Sequence, residues 1–234
     1  MRVSVVIPTY DEAGSIARVL EDIPPSLVTE VLVVDGGSRD RTREIAAAHG
    51  ARVVVESRRG YGRACLTGLA ATNRPDVVVF LDGDYSDRPS ELGRLLAPIR
   101  EGSADIVLGS RLAGGLAPGA MPGHAVFGNR LAATLIRWLY GLSLTDLGPF
   151  RAARSEVLRT LDLREMTYGW AVELVTRGAR RGYRVAEVPV SYHPRIGVSK
   201  ISGTVKGSIG AAWYILSGIV KNRLGPSTAP GTAT

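Results

Sequence analysis

The chain has 234 residues, 45% of them hydrophobic, and a formal net charge of +7. That composition supports a sizeable buried core and excludes global disorder. The single cysteine, Cys65, excludes an intramolecular disulfide and a cysteine-based zinc site, and it sits in "ACLTGLAA", an apolar stretch that reads as inert packing.

Strands and helices alternate through the first half. "RVSVVI" reads as a strand, with only five apolar residues before Pro8, too few for a signal-peptide core. "SIARVLEDI" follows as a helix with Ser15 as its cap. "EVLVVD" is a second strand, "SRDRTREIAAAHG" a helix, "ARVVVES" a third strand and "GRACLTGLAAT" a helix. "DVVVFLD", "SELGRLLAPIREG" and "ADIVLGS" continue as strand, helix, strand. Apolar runs separated by amphipathic helices predict an α/β fold with a mostly parallel central sheet flanked by helices. Beyond residue 112 the pattern changes. "LAGGLAPGAMPGH" reads as a flexible Gly/Pro-rich loop and a helix spans about Phe127 to Tyr140. "TDLGPFRAAR" is a short strand or turn, "GWAVELVTRGARRG" a helix and "YRVAEVPVSY" a strand. A last helix is expected from about Thr204 to Val220. The organisation expected is 1–112 and 113–206 as two halves of one domain, an amphipathic helix over 207–222 and a disordered tail over 223–234. "GSIGAAWYILSGIV", 14 residues, falls short of the roughly 20 that cross a bilayer.

In parallel sheets ligands bind at the carboxyl ends of strands. That places "PTYDE", "DGGS", "DGDYSD" and "GSR" on one rim. Asp82 and Asp84 flank Gly83, and residues two apart in an extended stretch face the same way. Carboxylate pairs suit hard cations such as Mg²⁺ or Mn²⁺, which keep places for water and substrate phosphates; the bland alternative is a solvated Asp-rich turn. Asp35, ending the second strand, suits a ribose hydroxyl or base N–H, while Ser38 or Asp40 suits helix capping. G-x-G-x-x-G and G-x-x-x-x-G-K-[ST] are both absent, which disfavours a dinucleotide cofactor and a P-loop. Arg111 in "GSR" suits either a leaving diphosphate or an ion pair. His49 and His193 show no metal spacing.

Charge is uneven. Residues 1–150 hold 16 Arg and 17 acids, whereas residues 151–234 hold 10 Arg, 3 Lys and 5 acids. The basic last third points to an anionic partner, phosphate or membrane surface, or to a solvated face. No nucleic-acid motif accompanies it. Trp213 and Tyr214 suit a membrane interface, with core packing or homo-oligomerisation as the competing account.

"VSVVIPTYDEAGSI", "EVLVVDGGSRDRT", "GRACLTGL", "VVVFLDGDYSDRPSEL" and "DIVLGSR" resemble the successive motifs of family 2 glycosyltransferases of GT-A fold. "DLGPFRAARSEVL", "GWAVELVTRGARRGYRVAEVPVSY" and "RIGVSKISG" resemble the polyprenyl-phosphate (dolichol-phosphate mannose synthase-like) branch. The resemblance implies an inverting, Mg²⁺- or Mn²⁺-assisted transfer of a sugar from a UDP- or GDP-sugar to polyprenyl phosphate. It implies a cytoplasmic protein, peripheral on the inner face of the membrane. By this similarity Pro8, Tyr10, Asp11, Glu12 and Asp35 line the nucleoside pocket, and Asp82 and Asp84 hold the metal and diphosphate. Arg111 contacts phosphate, Asp146 faces acceptor or sugar, and Arg195, Ser199 and Lys200 form a basic segment near the phosphates. Three positions depart from the pattern: Gly36 replaces an acid, Asp11 an Asn, and His124 the basic residue before the long helix.

A phosphate monoester, with a second pKa of about 6, is mostly dianionic at neutral pH and needs no general base. A hydroxyl acceptor needs one, and Asp146, then Glu173, are the candidates; the alternative for Glu173 is a salt bridge to Arg177. A related transferase acting on a soluble hydroxyl is the competing expectation. A sugar-phosphate nucleotidyltransferase is disfavoured, because "IPTYDEAGS" lacks a basic Gly-rich loop.

Overall fold

Period-two alternation decides how the central sheet is covered. In β1 (Val3–Thr9), Val3, Val5 and Ile7 join one apolar cluster while Val6 joins another. In β4 (Val77–Phe80), Val77 and Val79 join the first and Val78 and Phe80 the second. Both faces are buried, so β4 reads as an unbroken apolar run and β1 as one interrupted by the buried Ser4, neither as an alternating strand. The computed structural model describes residues 1–197 and 205–224, the backbone alone for 205–214.

The first cluster is filled by Ile16 and Val19 of α1 (Ile16–Glu21), Ala46 of α2 (Thr42–Ala48), and Leu92, Leu95, Leu96 and Ile99 of α4 (Leu92–Arg100). Opposite lie α3 (Tyr61–Ala71), α7 (Ser155–Thr160) and α8 (Trp170–Arg180). Trp170 meets Phe80 edge to face, with ring centroids 4.7 Å apart. Gly68 lets α3 close on the sheet, since a Cβ there would collide with Val6 and Val34. A further layer joins α6 (Gly123–Tyr140) to α8 and to α9 (Val205–Leu224) through Ala132, Ile136, Val172, Val175 and Ile219.

With β2 (Glu30–Asp35), β3 (Arg52–Val55), β5 (Ile106–Ser110), β6 (Arg151–Arg154) and β7 (Val185–Pro189), the sheet has seven strands in the order β3-β2-β1-β4-β6-β5-β7. β6 alone runs antiparallel, between β4 and β5. The mostly parallel α/β sheet expected from the sequence is present.

Three local expectations change. Ser15 precedes α1 without capping it, because its hydroxyl lies 3.2 Å from the Glu12 carbonyl and 3.1 Å from Glu12 Oε2. The Gly/Pro-rich loop is shorter than expected, because its start forms α5 (Arg111–Gly114) and α6 begins at Gly123. The last helix extends past Val220 to Leu224; most of the expected tail and the side chains of Trp213 and Tyr214 lie outside the described residues. Among the described residues no helix is long and apolar enough to cross a membrane.

Candidate active site

The parallel strands β1, β2, β4 and β5 deliver the loops after Thr9, Asp35, Phe80 and Ser110 to one rim. β6, being reversed, brings its first residue there: Arg151 is in register with Phe80 and with Leu108. A cavity of about 420 Å³ opens among these loops, and of the expected residues Pro8, Tyr10, Glu12, Asp82, Asp84 and Arg195 line it.

Asp84 is buried and well partnered. Its Oδ1 accepts from Ser86 N at 3.0 Å and Ser86 Oγ at 2.6 Å, and its Oδ2 lies 2.8 Å from Arg195 Nη2. Gly83 is required by close approach, since a Cβ there would stand 2.8 Å from Thr9 Cγ2. Asp82 is different: its Oδ1 is buried with no hydrogen-bond partner. Burial, then the neighbouring Asp84 charge, pushes its carboxyl up to about 7, against the pull of Arg151. An orphaned carboxylate oxygen beside a second carboxylate at a cavity is a donor set that fits a hard dication. Among the described residues no third His, Cys, Asp or Glu completes a metal cluster, which leaves coordination positions for phosphate oxygens and water. Asp87 is also buried, both carboxylate oxygens unpartnered, its pKa raised by burial and by Asp82.

Other expected residues build the loops instead of lining the cavity. Asp35 is fully buried and accepts from Gly37 N and Ser38 N, both at 3.1 Å, which closes its turn. Ser38 Oγ accepts from Asp11 N at 2.9 Å, and Asp11, at φ 52°, accepts from Arg39 N at 2.7 Å. Asp40 accepts from Ala13 N and from Thr42 N, each at 3.0 Å. The β1 and β2 loops are thus stitched together by their own acids.

Arg111 and Asp146 hold one another. Arg111 Nε and Nη2 reach Asp146 Oδ2 and Oδ1 at 2.6 and 2.7 Å, in a bidentate pair that is almost fully buried. Arg111 N and Leu147 N also donate to Asp146, and the guanidinium stacks 4.9 Å over the Tyr192 ring. Neither residue lines the cavity. Of the two readings open for Glu173, the salt bridge is the one observed: Arg177 Nη2 lies at 2.8 Å, and Arg164 N and Glu165 N donate to Oε2 at 2.8 and 2.7 Å. Ser199 and Lys200 lie outside the described residues.

Sequence reasoning missed four residues here. Arg151 is buried beneath Asp82, its guanidinium held by the carbonyls of Pro149 and Gly148 and 5.7 Å from the Trp170 ring. Tyr61 presents a buried, unpartnered phenol to the cavity beside Asp82. Arg59 donates to Tyr10 OH at 2.7 Å and stacks 4.7 Å over its ring, and Tyr168 completes that wall. An arginine opening a buried strand, in "FRAAR", was the available signal for Arg151.

A doubly covered, mostly parallel sheet with Asp-Gly-Asp at the mouth of a rim cavity defines a GT-A-like glycosyltransferase. Solved structures agree. Glucosyl-3-phosphoglycerate synthase from Mycobacterium tuberculosis, in complex with Mn²⁺, UDP and glucosyl-3-phosphoglycerate, superposes with a TM-score of 0.77 at 26% identity over 97% of this chain and 81% of that one. The family model Glycosyl transferase family 2 matches residues 4–162, and the chain belongs to that family. It is 39% identical over 219 residues to an uncharacterised glycosyltransferase of Mycobacterium tuberculosis, spanning 92% of this chain and 98% of that protein. It is 36% identical to the undecaprenyl-phosphate mannosyltransferase of Micrococcus luteus, over 88% of this chain and 90% of that protein. The polyprenol monophosphomannose synthase of Mycolicibacterium smegmatis is 35% identical, over 87% and 82%.

Proposed function

We propose that this protein is an inverting, metal-dependent glycosyltransferase that moves a sugar from a UDP- or GDP-sugar to polyprenyl phosphate at the membrane surface. The carrying observation is the Asp82–Asp84 pair at the cavity, with one buried Asp82 oxygen lacking any partner. These two carboxylates would hold Mg²⁺ or Mn²⁺, which supplies positive charge to the leaving diphosphate. Tyr10, Glu12 and Pro8 form the wall beside them and orient the nucleoside. Asp11 and Asp35 act through the loop they brace.

The state of the two candidate bases supports a phosphate acceptor. Asp146 and Glu173 are each saturated by an arginine and by backbone donors, so neither is poised to take a proton. A dianionic phosphate monoester needs none, which favours it over a hydroxyl. The relatives named as acting on undecaprenyl phosphate and polyprenol point the same way.

Surface chemistry supports work at an anionic, cytoplasmic leaflet. Helix α6, residues 123–140, contains no Asp or Glu but carries Arg130 and Arg137. On α6, Phe127, Leu131 and Trp138 share one exposed face, Phe127 at 69% and Trp138 at 83% exposure. Exposed Arg130 and Arg137 flank them, the combination suited to headgroups.

A second reading keeps the fold and changes the acceptor. The structural neighbour bound to glucosyl-3-phosphoglycerate favours a soluble hydroxyl compound. Both are tested by incubating the enzyme with Mn²⁺ and labelled UDP- and GDP-sugars, with polyprenyl phosphate or phosphoglycerate. Label should enter the lipid extract only when lipid phosphate is present; transfer to the soluble acid alone would establish the second reading. Calorimetry should find Asp84→Ala folded but without metal-dependent donor binding, and unchanged binding would remove Asp84 from the site.

A further inference from the structure

Two arginines bracket the Asp82–Asp84 pair, and they differ in freedom. Arg151 lies beneath, 2% exposed, its guanidinium fixed by two backbone carbonyls. Arg195 lies on the cavity side, its side chain 30% exposed. The backbone around Arg195 is anchored to the acidic loop itself. Tyr192 bridges Asp87 in antiparallel fashion, His193 N donates to Ser86 O at 2.9 Å, and Ile196 N donates to Asp84 O at 2.9 Å. From that rail the guanidinium reaches Asp84 Oδ2 at 2.8 Å and Glu12 Oε1 at 3.7 Å, while its Nε stays buried without a hydrogen-bond partner.

We propose that Arg195 is an exchangeable counter-ion that couples cation binding to nucleotide-diphosphate binding. The inference rests on the reading that Asp84 holds the divalent cation. In the donor-free protein the guanidinium already neutralises Asp84, so a dication arriving at the same oxygen meets a like charge and displaces it. Displacement alone takes the guanidinium off its close carboxylate and leaves it with the more distant Glu12, at 3.7 Å, which opposes metal binding. A diphosphate supplies the displaced fork with oxygens that match its geometry. Metal and diphosphate therefore each relieve the cost the other imposes, and coupling of this kind is reciprocal. Arg111 and Arg151 are less free: the first is clamped by Asp146, and the second is 2% exposed with Nε and Nη2 on carbonyls, although its Nη1 has no partner. Arg59, the other arginine lining the cavity, is bound to Tyr10.

The test is Mn²⁺ titration of the full chain, with free Mn²⁺ read by electron paramagnetic resonance, with and without UDP or GDP. In the wild type either nucleotide should tighten Mn²⁺ binding about tenfold or more. Arg195→Gln should bind Mn²⁺ alone several-fold more tightly, with the nucleotide enhancement reduced to about threefold or less. Arg195→Lys keeps the charge and should stay nearer the wild type in Mn²⁺ affinity, which separates charge from loss of shape. An Arg195→Gln protein with unchanged Mn²⁺ affinity and undiminished enhancement would overturn the proposal. Asp84→Ala, titrated alongside, distinguishes the two failures. If it loses Mn²⁺ while Arg195→Gln behaves as wild type, the counter-ion idea alone falls; if it keeps Mn²⁺, the cation reading falls with it.

Discussion

Asp146 stands on the rim yet has no accessible surface, and four donors converge on its carboxylate. Its partner Arg111 is 9% exposed, so removing one charge strands the other in a dry site. Asp146→Asn should lower stability by about 3 kcal/mol or more, measured by urea unfolding, while the pH profile of sugar transfer keeps its shape. Loss of the profile's acidic limb would instead mark Asp146 as a base. The pair also shows where reading a sequence stops. Asp82 and Asp84 were legible because an apolar run ending in acids has few physical explanations. The Arg111–Asp146 pair was not, since partners 35 positions apart leave no local periodicity. Tyr61 and Arg59 were hidden for the same reason: a helix start and a loop gave no hint that they would wall the cavity. The Glu173–Arg177 pair was visible as an alternative because i and i+4 are neighbours on a helix.

At the scale of elements, the parallel strands were legible wherever both faces are buried, because their apolar runs are continuous and bounded by polar clusters. β6 was harder. Four residues are too few to establish a period, and its reversed direction depends on the strands it slots between. The clasp joining β5 to β7 was equally invisible: Arg184 Nε and Nη2 meet Asp105 at 3.0 and 2.8 Å, and Arg154 of β6 adds a contact at 3.5 Å. Hydrogen bonding from Arg184 holds the Asp105 carboxyl below its ordinary 3.8 despite partial burial. A depressed carboxylate stabilises the fold above the unfolded value and loses that contribution as pH falls through the folded value. Arg184→Ala should therefore be less stable than the wild type at pH 7, and the difference should narrow as urea midpoints are followed into acid below 3.8. A constant difference down to pH 2.5 would show that the ion pair is not its source.

For the whole molecule, the asymmetric charge was legible in composition, whereas the exposed face of α6, outside the basic last third, was not. Sequence reasoning put membrane contact on the last helix. Among the described residues Phe127 and Trp138 of α6 and Tyr168 ahead of α8 are the exposed aromatic side chains, with Val220 and Leu224 of the packed α9 also exposed; the side chains of Trp213 and Tyr214 lie outside the described residues. Vesicles containing anionic lipid should co-float with the protein, neutral vesicles should do so less, and salt should weaken the attachment. Replacing Phe127 and Trp138 together by serine should reduce flotation several-fold without lowering the melting temperature. Equal recovery of both proteins with anionic vesicles would assign those rings to another partner.

The reversal of β6 carries a consequence for how this scaffold diversifies. The chain leaves the sheet into the loops that line the cavity, but it enters the sheet through residues 141–150 on the same rim. The entering segment and the departing loops hang from opposite ends of their strands. Lengthening the entering segment would therefore add chain beside the cavity while the departing loops keep their anchors, so one part of the rim is free to change without retuning the other.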